Sequence, residues 1–376
     1  MPDYVQQKFN DDLLVAKGDR DVAAVVYPTV FHVLDHPELR QCFLEYDAPS
    51  NAAKKRSVYL GSAAILLASA ALISASGEIP FHGQAGILTG LALVAAVCGI
   101  ASVLIGALGL LYGKTKRNWL CMRLMTERLR QFHFQTFVYL LPEITASVHD
   151  EDARARFVSA RAAAFAAFRR KMEGHLEAEL SAVIHDEQSD LGFRNVPATS
   201  AMMDHDPALD PLFEAYRELR IEHQLNFARF KMREDDRLFS SAPRSQAATL
   251  ERVSFSCIVL LLALHITIGT AIVLASIARL VPTPVFVPTL VSVLGAATLC
   301  IAVVALAART FQQGLQPERE LERYAQYGSS CKAILDRFDG ASSHTDKVAI
   351  MREMERLSVD EMRNFFLANQ RATFVM

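Results

Sequence analysis

The sequence predicts an all-α membrane protein, with four transmembrane helices in two hairpins and a helical cytoplasmic domain. Three observations predict it. Hydrophobic residues make up 51% of the 376 positions and charged residues only 21%, with the apolar excess gathered into four blocks. Each block is long enough to cross a bilayer, which needs about 20 residues. Lys and Arg flank the blocks on one side only, as the positive-inside rule requires. The same composition excludes other classes. Disordered chains are charge-rich and poor in large apolar residues, whereas this chain carries 22 Phe. With 39 basic against 41 acidic residues, affinity for an anionic ligand must come from a local patch. The six cysteines are scattered without a C-x-x-C pair, so neither a disulfide framework nor a zinc site is indicated. The opening MPDYVQQKFNDDLL has no apolar core of the kind a signal peptide needs.

Taken in order, residues 1–56 read as a helical N-terminal region. The first hairpin occupies 57–113, with spans at 57–76 and 86–113. A helical domain covers 114–251. The second hairpin occupies 252–308, with spans at 253–280 and 287–308, and 309–376 is a helical tail. No Asp, Glu, Lys or Arg interrupts a span before Arg279. The two connections, 77–85 and 281–286, are short and hold Pro80, Pro282 and Pro284, as tight turns do. Lys54, Lys55 and Arg56 precede the first span; Lys114, Lys116, Arg117 and Arg123 follow the second. Arg244 and Arg252 precede the third; Arg309, Arg319 and Arg323 follow the fourth. Both termini and 114–251 are therefore expected in the cytoplasm.

Within the spans, Gly86 and Gly90 are four apart, as are Gly109 and Gly113, with Gly99 and Gly106 between. Such spacing lets helices approach closely, either in an oligomer or inside a hairpin. His265, with Thr267, Gly269, Thr270 and Ser276, lies at a depth where polar groups face a water path or bond to a neighbouring helix. These residues and Gly106, Gly109 and Gly113 are the candidates for pore lining or helix packing.

In 114–251, Trp119, Arg123, Glu127 and Arg130 recur at helical spacing on a helix expected to end at Pro142. His149, Asp150, Glu151 and Asp152 cap the next, at about 153–187. Its Arg154, Arg156, Arg161, Arg169, Arg170 and Lys171 are the densest basic group away from the membrane edge. They are the candidate contacts for a phosphate-bearing ligand. Phe157, Phe165 and Phe168 beside them read first as a core stripe. Asp204, His205, Asp206 and Asp210 beside Pro207 and Pro211 read as turn and cap residues rather than a metal site. A further helix, about 211–239, carries the stripe Tyr216, Arg220, Gln224, Phe227 and Lys231. In the tail, 340–344 is a turn, and 347–371 is a helix rich in Met and Phe, read as core or oligomer contact. No nucleotide-binding, metalloprotease or hydrolase motif is present, so no catalytic residue, metal or cofactor is assigned.

Two motifs resemble a known family. W-x3-R-x3-E-x-L-R (Trp119, Arg123, Glu127, Leu129, Arg130) follows a hairpin, and Y-x3-R-I-x2-Q (Tyr216, Arg220, Ile221, Gln224), with Lys231, precedes the next. Both are similar to the SLATT family of membrane effector domains associated with nucleotidyltransferase and SLOG defence modules. The resemblance covers about two-thirds of the chain, in a four-span form. It implies a pore-forming effector of bacterial antiphage immunity in the inner membrane. It further implies a homo-oligomer, tetrameric by preference, controlled by a nucleotide or oligonucleotide from a partner nucleotidyltransferase. A membrane scaffold that recruits a partner protein without conducting is the alternative.

Overall fold

The computed structural model describes residues 9–81, 83–111, 113–185, 206–233, 242–277 and 286–371. Among them every regular element is a helix. Four helices are long and apolar enough to cross a membrane. The chain divides into two compact units.

The first unit gathers residues up to Ala53, Arg117–Arg233 and Leu321–Gln370. Its N-terminal part holds a 3-10 turn at Asp11–Leu13, α1 (Lys17–Val26), the short α2 (Phe31–Leu34) and the start of α3 (Pro37–Gly77). Next come α5 (Gly113–Tyr139), α6 (Leu141–His149) and α7 (Glu151–His185), preceded in the chain by α4 (Ala85–Leu111). Pro142 does more than end a helix: it sits in the first turn of α6, where its missing N–H costs nothing. Asp150 accepts from the amides of Asp152 and Ala153 at 3.2 and 3.0 Å, which caps α7 as its sequence implied. A non-helical residue, His175, interrupts α7.

The helix expected over 211–239 is built in three pieces. α8 (Asp210–Tyr216) passes into a π-helical segment, Arg217–Glu222, and then into α9 (His223–Lys231). The tail forms α12 (Pro317–Gly340) and α13 (His344–Arg371), either side of the expected turn. The unit closes around Phe43, Phe134, Phe137, Phe157, Phe213, Tyr216 and Phe366, all fully buried. Met351, Met354 and Met362 of α13 belong to that core.

The second unit gathers Lys54–Lys116 and Glu234–Glu320, with the last six residues of the chain. Its helices are the rest of α3, α4, α10 (Pro243–Ile277) and α11 (Phe286–Leu315). α10 and α11 pack along each other. α3 and α4 meet where Ser102 Oγ donates to the Ala64 carbonyl at 2.9 Å and where Gly99 faces Ala71. The outward faces of α4 and α10 are apolar: Val97, Ile100 and Val103 on the first, and Ile258, Leu262 and Ile266 on the second, are all exposed within the single chain. That pattern suits lipid as solvent, which gives apolar side chains no reason to turn inward.

Candidate functional site: a buried charge network in the first unit

Polar side chains of the first unit meet in its interior. On α5, Arg123 pairs with Glu127 one turn on, and Arg130 Nη1 reaches the same carboxylate at 3.4 Å. Arg130 Nε also binds the fully buried Asp12 at 2.7 Å, and its Nη2 donates to Asn10 Oδ1 at 3.0 Å. Asp12 is held there by the 3-10 turn, which ends in a left-handed Leu14 (φ 51°), with side chain and backbone locked inside the core. His223 on α9 closes on the same strap, with Nδ1 3.1 Å from Asp11 Oδ1.

Arg220, in the π segment, is the largest fully buried side chain. Its guanidinium forms a two-pronged pair with Glu355 of α13: Nε to Oε1 and Nη2 to Oε2, each 2.8 Å. Nη2 also donates to Ser358 Oγ at 2.8 Å, and the plane lies over the Phe134 ring, 4.6 Å from its centroid. Tyr216 donates to Glu355 Oε1 at 2.8 Å. Tyr327 of α12 donates to Gln224 Oε1 at 3.1 Å. Trp119 packs edge-on against Phe365, over which Arg123 also lies.

The electrostatics follow the pairing. Burial disfavours the charge on Glu127, but Arg123 and Arg130 beside it outweigh that and hold its carboxyl below the usual range. Burial likewise works against Arg220, and the Glu355 carboxylate overrides it, so the guanidinium stays charged. Tyr216 is pushed well above its ordinary value, first by burial and then by Glu355, so the phenol stays protonated and donates to that carboxylate. The arrangement is a matched set of buried charges. It has the chemistry of a structural or conformational lock, because each carboxylate in it already faces a basic side chain.

The residues that carry the resemblance fall into two neighbouring sets, Arg123, Glu127 and Arg130 with Asp12, and Tyr216 and Arg220 with Glu355; the Arg220 charge acts on Glu127, and Trp119 and Gln224 lie outside both sets. The sequence reading missed their partners Asp12, Glu355, Ser358 and Tyr327. One signal was available for Glu355. It falls in the inward stripe of α13, four residues after Met351 and seven before Met362, where a charge survives only if paired.

The basic group of α7 is not brought together. Arg154 pairs with Glu151 and Arg156 with Asp150, each at 3.4 Å; Lys171 pairs with Glu179 at 3.4 Å. Arg169 binds Glu173 at 2.7 Å and Glu45 at 3.4 Å. Arg170 is exposed. Arg161 differs most from expectation: it is buried, and its two terminal nitrogens donate to the carbonyls of His32, Val33 and Asp35 at 2.8–2.9 Å. It satisfies the open end of α2 and is turned away from any ligand. Phe157 and Phe165 beside it are buried, as a core stripe is.

Among the span candidates, His265 Nδ1 lies 2.7 Å from the Leu261 carbonyl of its own helix, not from a neighbouring one. Thr267, Thr270 and Ser276 bond to the carbonyls of Ala263, Ile266 and Ile272, each four residues back. All four, and Gly269, face outward from the single chain, and nothing approaches Gly86, Gly90, Gly106 or Gly269. The side-chain positions of Gly109 and Gly113 lie outside the described residues, as do Asp204, His205 and the connection at 281–285. Asp206 accepts from the Ala208 amide at 3.1 Å, the capping role expected of it, and binds His149 at 2.7 Å. Among the described residues no cluster of His, Cys, Asp or Glu is placed to hold a metal ion. No family model, curated protein or solved structure matches the chain.

Proposed function

We propose that the protein is a membrane effector of a bacterial defence system, forming an oligomeric channel or pore that depolarises or permeabilises the inner membrane. In this reading the two hairpins span the membrane, both termini and the first unit lie in the cytoplasm, and a nucleotide or oligonucleotide signal from a partner nucleotidyltransferase controls opening. The supporting observation is the convergence of the resemblance residues. Two motifs about ninety positions apart in sequence supply two neighbouring charge clusters of the first unit, Arg123, Glu127 and Arg130 in one and Tyr216 and Arg220 in the other, and the Arg220 charge acts on Glu127.

Signal recognition is assigned to the outward face of α7, where Arg154, Arg156, Arg169, Arg170 and Lys171 remain as exposed or half-exposed cations. Their acidic neighbours are solvated pairs of little strength, which a multiply charged phosphate can displace. Arg161 takes no part. The reading takes the assembly as a homo-oligomer, tetrameric by preference. The experiment is conductance of the purified protein in planar bilayers, alone and with a panel of cyclic di- and trinucleotides. Channel events that respond to one of them support the reading. A silent bilayer throughout, with the protein shown to be inserted, would favour the scaffold alternative.

A further inference from the structure

We propose, building on the reading of the second unit as a membrane-spanning oligomer, that copies of the chain meet around a water-filled axis on one face of α10. That face is the line Ile258, Leu262, His265, Gly269, Ile272 and Ser276, and His265 supplies its one basic group.

α10 is covered on a single side. Cys257, Leu261, Leu264, Ile268 and Ala271, spaced four and three in turn, are its buried or half-buried positions, along the seam with α11. Every other position from Phe255 to Leu274 is exposed within the single chain. The remaining spans differ in what they expose. Among the described residues their exposed polar side chains are Tyr59 and Thr89, each near the start of its span. α10 instead carries His265, Thr267, Thr270 and Ser276 outward at depth.

The hydroxyls among these can face lipid, because each donates its proton to a carbonyl one turn back. The imidazole cannot settle itself in the same way. Its Nδ1 lies 2.7 Å from the Leu261 carbonyl, which only accepts, so the proton is on Nδ1 and the neutral ring leaves a bare lone pair on Nε2. Among the described residues nothing donates to that nitrogen. Hydrocarbon offers no donor, and a strong acceptor at mid-span is costly without one. The His265 side of α10 is therefore the side that needs water or protein. At 100° per residue, Ser276 and Gly269 lie within about 20° and 40° of His265 around the axis, whereas Thr267 is on the far flank. A Cβ at Gly269 would meet nothing within 4 Å, which leaves room for a neighbouring helix beside the ring.

A second copy brings the same bare nitrogen, so two His265 rings cannot bond each other directly. Water between them donates to both. Copies arranged about one axis share a single water column that satisfies every Nε2 at once, and closed symmetry brings identical faces together in this way. An unlike partner would have to supply a separate donor to each chain. One chain alone contributes only one wall of the column, so the site is incomplete without its copies.

Thiol labelling of the full-length protein in proteoliposomes tests this, each variant read against the unsubstituted chain. Maleimides attack the thiolate, which forms in water and is suppressed in apolar surroundings. His265→Cys should react with a water-soluble maleimide about tenfold faster than Thr267→Cys, which sits at similar depth, since each unit rise in thiol pKa cuts the thiolate about tenfold. A short bis-maleimide should join His265→Cys chains into covalent dimers and leave Thr267→Cys monomeric. Equally slow labelling of the two would put the line in lipid, and fast labelling without dimers would put an unlike protein or water alone beside it; either overturns the proposal. Dimers from both variants alike would also overturn it, since chains would then touch on no particular face. If His265→Cys does not assemble, Gly269→Cys and Ser276→Cys stand on the same line and are judged by the same criteria. None of these readouts needs a current. Dimers beside a silent bilayer would remove the channel reading alone, and currents without dimers would remove this face alone.

Discussion

Replacing Arg161 with Met separates a structural cation from a ligand-binding one. Met fills the space of the aliphatic stem and removes the guanidinium. Three donations to main-chain carbonyls at 2.8–2.9 Å are lost, and the end of α2 is left buried and unsatisfied. Hydrogen bonds from a charged group contribute about 1.5–3 kcal/mol each, so the loss is about 7 kcal/mol at the middle of that range. The contact with the Phe157 ring, 5.3 Å from its centroid, adds about 0.5–1 kcal/mol. Removing a buried charge works the other way. Burial lowers the Arg161 pKa to about 10, a differential cost to the charged form of about 3 kcal/mol. The expected net loss is therefore about 4 kcal/mol. The chain has one tryptophan, the buried Trp119 of the first unit, so urea titration in detergent micelles can be followed through its emission without interference. Arg170→Ala, on the exposed face of α7, is the control and should shift stability by less than about 0.5 kcal/mol. If Arg161→Met cost no more than the control, the carbonyl contacts would be idle and the assignment of Arg161 to the fold would be refuted.

Acid should destabilise the first unit. Burial, then Arg154 and Arg161, lowers the His32 pKa to about 4; burial, then Arg161, lowers His36 to about 3, against the opposing Asp35. The groups facing His36 are Arg161, Arg40, Asp35 and Glu38, and His32 bonds to Ser147. An unfolded chain takes up both protons near pH 6.5 while the folded one does not, so this stability is whole above pH 6.5 and falls as pH drops toward 4 and then 3. The Trp119 urea midpoint should decline over that window, less steeply in His36→Gln; a midpoint that rises on acidification contradicts the assignment. For the Arg220–Glu355 pair, Arg220→Met and Glu355→Leu should each cost about 3–5 kcal/mol. The double variant should cost clearly less than either, and strict additivity would show that the two do not act as a pair. A cysteine at Gly83 should react with an impermeant maleimide in intact cells if the first connection lies outside; labelling only after lysis would reverse the proposed topology.

The four span helices were legible because uninterrupted apolar runs have one interpretation in a chain that is otherwise normally charged. Capping was legible too: Asp150 and Asp206 act through the amides of the next two or three residues, so no long-range information is needed. The charge network was legible by halves. Arg123 and Glu127 lie a turn apart on one helix and pair locally, whereas Arg220 and Glu355 are joined only by the tertiary fold. The π turn escaped a reading tuned to a period of 3.6, although the five-residue step from Tyr216 to Ile221 records it. Arg161 was misplaced for a different reason. A guanidinium binds phosphate oxygens and helix-end carbonyls with the same geometry, and sequence does not say which will be near. His265 taught the converse, since a polar group in a span can be satisfied by the turn behind it.

The two units settle their polar groups by opposite means, and this bears on which can rearrange. In the second unit Thr267, Thr270, Ser276, Thr298 and Thr310 each bond to a carbonyl four residues back on the same helix. Such bonds travel with the helix, so a span can slide, rotate or exchange neighbours without stranding a donor. What opposes its motion is close packing, weak where lipid is an equally good apolar neighbour, and a few interhelical hydrogen bonds such as Ser102 Oγ to the Ala64 carbonyl. In the first unit Asp12, Arg220 and Glu355 find their partners only across the fold, and Arg130 bonds across it as well as to Glu127 on its own helix. Separating any pair strands a buried charge, so intermediate positions are excluded and the network is either assembled or apart. Graded freedom in the spans and all-or-none bonding in the charged core are complementary properties. A protein that must stay quiet and then respond sharply needs its decision made in the part that cannot yield by degrees.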